Sequence, residues 1–222
     1  MKIIVSAAVS IDGYLDDASP ERLVLSNRED WDEVMQLRAQ CDAILVGAST
    51  LRSDNPALVT KSDELRRLRV NNGKAPDPVK VTITGTGDLD PGLRFFTEGD
   101  GRKIVIANAE ADTVKLARLS PLAAIKRLDT ITAQGVADYL HRKGISTLMV
   151  EGGSQTLTMF FSEGMVDELR LAVAPFFVGD SSAPRLVGNG IFPFNPQRRM
   201  VLAGVRKVGD MAVMHYRLGD ER

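Results

Sequence analysis

Apolar runs of strand length alternate with helix-like segments along most of this chain. The runs are residues 3–9, 43–47, 79–84, 103–108, 147–151 and 169–177. Segments between them, such as 27–40 and 132–144, carry apolar residues at helical spacing. This alternation predicts an α/β fold whose central strands are largely parallel. Residues 199–218 instead predict two strands joined around Gly209 and Asp210. The central sheet should therefore be mixed, with an antiparallel C-terminal hairpin.

Composition excludes several classes of protein. The formal net charge of −1 leaves no electrostatic footprint for nucleic acid or an anionic membrane. With one cysteine and two histidines, neither an internal disulfide nor a zinc site is predicted, and we expect no metal. No apolar run approaches the roughly 18 residues of a membrane helix. Since no linker or repeat divides the chain, we expect one cytoplasmic domain over residues 1–222.

A carboxylate and two glycines stand where the strand at 147–151 gives way to a helix pattern. Glu151 ends the apolar run, Gly152 and Gly153 follow, and Ser154 opens the helix-like segment. Free N–H groups at a helix start attract an anion, and glycines let a phosphate approach closely. The alternative is an ordinary strand-to-helix turn capped by Ser154. Glu151 favours a ligand site, because the carboxyl ends of strands in open α/β sheets are where ligands bind.

Two further connections are dense in polar residues. Residues 46–61 leave a central strand through Gly47 and carry hydroxyl, carboxylate and amide side chains. Residues 84–92 contain two glycines after a strand, but turn residues follow where a dinucleotide fingerprint needs a helix. This loop still offers two hydroxyls and close backbone approach to a cofactor, at Thr84, Gly85 and Thr86.

Three blocks, residues 10–13, 37–59 and 150–179, resemble the riboflavin-biosynthesis reductases. These are the C-terminal reductase domain of the bifunctional deaminase-reductase and its stand-alone relatives. The resemblance implies a dihydrofolate reductase-like three-layer fold and a homodimer. It also implies NADPH-dependent reduction of a ribosylamino-pyrimidine 5′-phosphate to its ribitylamino form.

The resemblance implies roles for individual residues of this chain. Cofactor contacts are implied at Thr50, Asp54, Gly85, Gly153, Ser154, Gln155 and Thr156. The loop and turn described above add Thr84, Thr86 and Gly152 to the expected cofactor contacts. Substrate contacts are expected at Ser26, Arg38, Leu58, Lys61 and Glu151. Arg38 and Lys61 suit a substrate phosphate, which favours charged donors. Asp54 and Glu151 are the two candidates to stabilise or supply a proton during reduction.

Two other functions stay open from the sequence. The chain could be an NADPH-dependent reductase of another small heterocycle, such as a pteridine, on the same fold. It could also be a nucleotide-binding module that has lost turnover. The choice between a deaminated and a diamino pyrimidine substrate is left open as well. An apolar strand near the C-terminal edge, at 169–177, is expected to be exposed and to pair between two copies of the chain.

Overall fold

The computed structural model describes residues 1–19 and 21–218. Residue 20 and residues 219–222, which the predicted domain includes, lie outside the described part. The described helices are α1 (Arg28–Gln40), α2 (Ala48–Asp54), α3 (Asp63–Asn71), α4 (Arg94–Thr97), α5 (Thr113–Leu119), α6 (Ala133–Arg142) and α7 (Ser154–Ser162). The described strands are β1 (Lys2–Ser10), β2 (Ala43–Gly47), β3 (Val79–Thr84), β4 (Lys103–Asn108), β5 (Ala124–Leu128), β6 (Thr147–Gly152), β7 (Glu168–Ala174), β8 (Val201–Val208) and β9 (Met211–Arg217).

These strands belong to one sheet, in the order β5-β4-β3-β2-β6-β1-β7-β9-β8. The pairs β2–β3, β3–β4, β4–β5 and β1–β7 are parallel. The pairs β7–β9 and β8–β9 are antiparallel. The predicted mixed sheet, mostly parallel with an antiparallel C-terminal hairpin, is confirmed.

The chain folds into two compact units. The first unit is residue 1 with residues 35–149, and the second is residues 2–34 with the chain from Val150 onward. The sequence showed no composition shift at these boundaries. A single domain over residues 1–222 stays a prediction.

Local sequence explains the elements of the first unit. The five residues of β2 are all buried, as expected of a strand covered on both faces. Helix α6 buries Val136, Ala137 and Leu140 on one face, and the Thr132 hydroxyl accepts from the Gly135 N–H at its start. Gly144, with φ of +82°, ends it. None of the described helices has the length and apolar content needed to cross a membrane.

The second unit corrects the expectation about the exposed apolar strand. Strand β7, which the sequence placed at an edge, lies between β1 and β9. It is internal because the C-terminal hairpin pairs with it through β9. Strand β8 is the edge strand, and it exposes Val201, Leu202 and Val205. The unit's apolar cluster comprises Ala172, Ala174, Val208, Met211 and Val213.

Candidate active site

In the first unit, two of the predicted cofactor segments follow the carboxyl ends of neighbouring parallel strands. Gly47 of β2 is paired with Ile83 of parallel β3, so α2 begins beside the loop that follows β3. The guanidinium of Arg52 on α2 donates to the Asp88 carbonyl at 3.1 Å, which ties the helix to this loop. Thr50 and Asp54 on α2 are therefore brought near residues 84–88.

The loop after β3 is built by its own threonines. The Thr84 hydroxyl is buried and accepts from the Gly87 N–H at 2.9 Å. The Thr86 hydroxyl accepts from the Asp88 N–H at 3.3 Å. Gly85 is exposed, and a Cβ built on it would meet no heavy atom of the described residues within 4 Å. Thr84 thus shapes the loop from a buried position, whereas Gly85 and Thr86 are exposed to solvent.

Asp54 and Leu58 lie in a backbone segment of unusual conformation. Asp54, half-buried, ends α2 and accepts from the Ser53 hydroxyl at 2.6 Å. Asn55 and Leu58 have φ of 43° and 50°, the only positive values among the described residues other than glycine. A left-handed conformation costs a non-glycine residue roughly 1–3 kcal/mol and is concentrated at functional sites. Leu58 is 2% exposed, so its surroundings hold it in place.

The two predicted phosphate-binding residues differ in environment. Lys61 has an exposed side chain just before α3. The ion pair with Arg94, and to a smaller degree the charges of Lys80 and Lys61, lowers the pKa of Glu98. Lys61 is thus one of several cations whose charges act on Glu98, and it has the smallest effect of them. Arg38, on the last turn of α1, is 7% exposed.

Arg69, which sequence reasoning missed, shapes the backbone around Arg38. This buried guanidinium donates to the carbonyls of Arg38, Ala39 and Cys41 at 3.4, 3.0 and 2.6 Å. These oxygens end α1, where carbonyls lack helical partners. Nothing in the sequence distinguished Arg69 from the neighbouring arginines of α3, because the contact depends on the tertiary fold.

The second unit holds the strand-to-helix turn that the sequence singled out. β6 ends at Gly152, Gly153 is the N-cap, and α7 starts at Ser154 without a side-chain cap. Capping by Ser154 is therefore wrong, since Ser154 is already inside the first turn. The peptide bond between the two glycines is cis. Glu151 is half-buried at the end of β6.

This turn has the features of an anion-binding site. Gly152 has φ of +134°, which side chains rarely adopt, and no described atom lies within 4 Å of where its Cβ would be. The start of α7 offers backbone N–H groups and the positive end of the helix dipole. Ser154 and Gln155 lie in the first turn with Thr156, which is buried. The structure thus brings Glu151 and the five predicted cofactor residues 152–156 together.

Ser26, a predicted substrate residue, lies in the second unit before α1 and is half-buried. The cap of α1 is Asn27, whose side-chain oxygen accepts from the Asp30 N–H at 2.8 Å. The Asn27 amide also donates to the Val208 carbonyl at 2.9 Å. Ser26 is consequently held beside the C-terminal hairpin without acting as the cap.

Comparison with known proteins gives the family. The family model of the RibD C-terminal domain matches residues 1–214. The chain is 34% identical over 184 residues to the 2,5-diamino-6-ribosylamino-4(3H)-pyrimidinone 5′-phosphate reductase of Archaeoglobus fulgidus, covering 82% of this chain and 84% of that protein. It is 29% identical over 217 residues to the reductase of the same name from Methanothermobacter thermautotrophicus, covering 96% of both.

Solved structures share the fold. A pyrimidine reductase-like protein from Corynebacterium diphtheriae superposes with a TM-score of 0.83 at 22% identity, covering 99% of this chain and 92% of that one. The deaminase/reductase of Thermotoga maritima gives 0.74 at 20% identity, covering 97% of this chain and 56% of the longer protein. The predicted dihydrofolate reductase-like fold is confirmed, and the chain belongs to the family of the RibD C-terminal domain.

Proposed function

We propose that this protein is the pyrimidine reductase of riboflavin biosynthesis. It reduces a ribosylamino-pyrimidine 5′-phosphate to the ribitylamino form, using NADPH. The observation that carries the proposal is the similarity over most of the chain to reductases named for this substrate. The uncapped start of α7 after Gly152 and Gly153 supports the dinucleotide part of the proposal.

NADPH would supply a hydride to C1′ of the substrate's sugar in its open-chain imine form. The residues proposed to bind it are Thr50, Asp54, Thr84, Gly85, Thr86 and residues 152–156. Gly152 leaves room for phosphate oxygens, while backbone N–H groups at the start of α7 donate to them. Gly85 and Thr86 are exposed beside Arg52 of α2, where the phosphate of the adenosine ribose would find donors. This favours NADPH over NADH.

Asp54 and Glu151 are the proposed proton-handling groups. Reduction of an imine adds a hydride to carbon and needs a proton on nitrogen, and both carboxylates are half-buried. A half-buried carboxylate stabilises a protonated nitrogen more strongly than an exposed one, because water screens their interaction less.

Arg38, Lys61, Leu58 and Ser26 are the proposed substrate residues. Arg38 and Lys61 would bind the 5′-phosphate through charge-assisted hydrogen bonds. We propose that the substrate is the diamino rather than the deaminated pyrimidine. The names of the Archaeoglobus, Methanothermobacter and Aquifex aeolicus relatives support this choice, since each specifies the 2,5-diamino compound.

We further propose that the protein works as a homodimer in the cytoplasm. Strand β8 is an edge strand with exposed apolar residues, which suits pairing with a second copy. Cys41, the one cysteine in the sequence, is buried, and low cysteine usage suits a reducing compartment.

The test is anaerobic NADPH oxidation with the diamino pyrimidine phosphate, the deaminated pyrimidine phosphate and dihydrofolate. We expect turnover with a pyrimidine phosphate, fastest with the diamino compound, and none with dihydrofolate. Turnover of dihydrofolate alone would favour a reductase of another heterocycle. NADPH binding without oxidation of any of the three would favour a module that has lost catalysis.

A further inference from the structure

The segment between α2 and α3, residues 55–61, is held at both ends by groups from distant parts of the first unit. At its start, the Asn55 side-chain oxygen accepts from the Arg94 N–H at 2.8 Å. Near its end, the Thr60 N–H donates to Oδ1 of Asp77 at 2.9 Å. Between these contacts lies Leu58 in its left-handed conformation. A left-handed conformation of a non-glycine residue persists only when surrounding contacts hold it in place. The contacts at Asn55 and Thr60 therefore help to fix the backbone conformation of residues 55–61.

Asp77 is the group on which several of these contacts converge. Its side chain is fully buried, with 0% exposure. Nη1 of Arg66 lies 2.9 Å from each carboxylate oxygen of Asp77. The Asp100 N–H donates to Oδ2 at 3.3 Å. One carboxylate thus links the segment 55–61 to α3 and to the turn before β4.

The neighbouring backbone leaves little freedom on the other side of the segment. A Cβ built on Gly99 would lie 2.5 Å from Cγ1 of Val59 and 3.0 Å from Oδ2 of Asp77. Val59 therefore packs directly on the turn that Asp77 also contacts. Thr60 is buried, and Lys61, the next residue, points its side chain into solvent.

We infer that Asp77 is a positioning residue for recognition of the substrate's phosphate. Asp77 fixes the backbone at Thr60, and this fixes the position from which the Lys61 side chain extends into solvent. The position of the backbone in turn determines where the Lys61 ammonium can bind a phosphate. The inference rests on the proposed function, which assigns Lys61 to the phosphate. One weak signal for Asp77 is visible in the sequence, a lone carboxylate between Pro76 and Pro78 just before a buried strand.

A role in stability alone is the alternative, and Asp42 provides a matched control for it. Asp42 also accepts from two backbone N–H groups, those of Ser146 and Thr147, at 2.9 Å each. It pairs with the Lys74 ammonium at 2.7 Å. Neither contact involves residues 55–61. Replacing Asp42 therefore removes a comparable set of interactions without touching the segment that carries Lys61.

The experiment compares Asp77→Asn with Asp42→Asn in steady-state kinetics with the phosphorylated pyrimidine and its dephosphorylated nucleoside. For Asp77→Asn we expect KM for the phosphate to rise by about tenfold, as for loss of a contact to a charged group. KM for the nucleoside, kcat and NADPH affinity should stay unchanged. Asp42→Asn should change none of these. Arg66→Gln, which spares Asp77 but removes its cation, should act in the same direction if Asp77→Asn fails to fold.

A double mutant with Lys61→Ala tests whether Asp77 acts through Lys61. We expect Asp77→Asn to raise KM no further in the Lys61→Ala background, since the group that it positions is absent. An equal rise in both backgrounds, or an equal rise for phosphate and nucleoside, overturns the inference.

Failure of the proposed function gives a different result. If the wild-type protein oxidises NADPH with neither pyrimidine phosphate, the proposed function and the role of Asp77 in it both fall. In that case, hydrogen exchange of the Thr60 amide would show only whether Asp77 holds the backbone at Thr60. If wild-type turnover is normal and Asp77→Asn leaves the Thr60 amide as protected as in Asp42→Asn, Asp77 does not hold the segment and the inference is wrong.

Discussion

Arg170 and Asp30 form a buried ion pair that links β7 to the first turn of α1. Nη2 of Arg170 lies 2.6 Å from Oδ1 of Asp30, and the two side chains are 4% and 1% exposed. Nη2 also donates to Oε2 of Glu33 at 2.9 Å. The second Asp30 oxygen has no hydrogen-bond partner among the described residues. The pair is thus desolvated, and Asp30 takes part in it through one of its two oxygens.

Removing one member of this pair should destabilise the protein strongly. Asp30→Ala removes one of the two carboxylates that pair with the buried Arg170 among the described residues and leaves Glu33 as the other. Such a loss costs about 3–5 kcal/mol of the free energy of unfolding. Arg206→Ala is the control, because Arg206 pairs with the same Glu33 but is 54% exposed. An exposed pair contributes about 1 kcal/mol or less. Urea unfolding measures both, and equal small losses would contradict the prediction.

The buried Lys80 should make stability depend on pH in the alkaline range. Burial, and to a smaller degree the charge of Lys103, lowers the pKa of Lys80 to about 8. Its ammonium donates to the carbonyls of Phe95 and Glu98 at 3.2 and 2.6 Å. Between pH 8 and the ordinary value of 10.5, the unfolded chain binds a proton that the folded chain does not. Stability from this site therefore rises with pH across that window and is constant below it.

Lys80→Met should abolish this rise. The unfolding free energy of the wild type relative to Lys80→Met should increase by up to about 3 kcal/mol between pH 8 and pH 10.5, at about 1.4 kcal/mol per pKa unit. Lys143→Met, which removes an exposed lysine at the end of α6, gives the baseline for loss of one charge. A wild-type curve parallel to that of Lys80→Met over the window would show that Lys80 does not titrate there.

Gly152→Ala tests the turn between β6 and α7. The new methyl group meets open space, so any effect comes from the φ of +134°. Forcing alanine into this conformation should cost about 1 kcal/mol of stability or more, and relaxation of the strained turn would displace the start of α7. NADPH affinity, measured by titration, should fall by about tenfold, because this start is the proposed phosphate site.

Gly204→Ala is the control for that substitution. Gly204, in β8, also has open space around its missing Cβ but no left-handed φ. Its replacement should leave NADPH affinity unchanged. If Gly152→Ala binds NADPH as tightly as Gly204→Ala, the turn is not the phosphate site.

The sequence could predict the elements whose signals are local. Strands such as β2 are continuous apolar runs, and the hairpin β8–β9 turns at Gly209, where φ is +61°. The group at residues 151–156 was visible because a carboxylate and two glycines interrupt a strand-to-helix pattern. Strand β5 was missed because its residues are half-buried or exposed and include two cations, so no apolar run marks it.

Contacts between distant parts of the chain could not be predicted in the same way. Arg69 looks like an ordinary surface residue in the sequence, and the prolines around Asp77 are only a weak signal. Both residues are nevertheless buried and bind backbone groups far along the chain. The internal position of β7 was missed for a related reason. The sequence of an apolar strand does not show which strands pair with it or whether it lies at the edge of the sheet. Here the pairing of β9 with β7 makes β7 an internal strand.

Strand β8 should carry the interface of the proposed homodimer. Val205 is 57% exposed on this edge strand, and a charge at its position would oppose burial against a second copy. Val205→Glu should convert the dimer to a monomer in light scattering at micromolar concentration. Val114→Glu, at a valine that is 73% exposed on α5, should not. A monomeric wild-type protein, or a dimer that survives Val205→Glu, would count against this surface.

Glu151→Gln and Asp54→Asn should decide which carboxylate handles the proton. Each substitution keeps the size of the side chain and removes its charge. Loss of an interaction with a charged group is worth roughly 1.5–3 kcal/mol, or about tenfold to a hundredfold in rate. If Glu151 is responsible, Glu151→Gln should bind NADPH normally while kcat with the pyrimidine phosphate falls by this factor. If Asp54 is responsible, Asp54→Asn should lower kcat by this factor and also weaken NADPH binding, since Asp54 is a proposed cofactor contact as well. Glu168→Gln, at a surface glutamate paired with Lys2, is the control and should keep full turnover.

The separate effects on kcat and KM distinguish a group that acts in the chemical step from one that only binds substrate. If Glu151 acts on the reacting nitrogen, Glu151→Gln should lower kcat. If Glu151 only holds the substrate, Glu151→Gln should raise KM and keep kcat. The same two outcomes apply to Asp54→Asn. Normal kcat and KM in both variants, with NADPH still bound, would show that neither carboxylate takes part in the reduction.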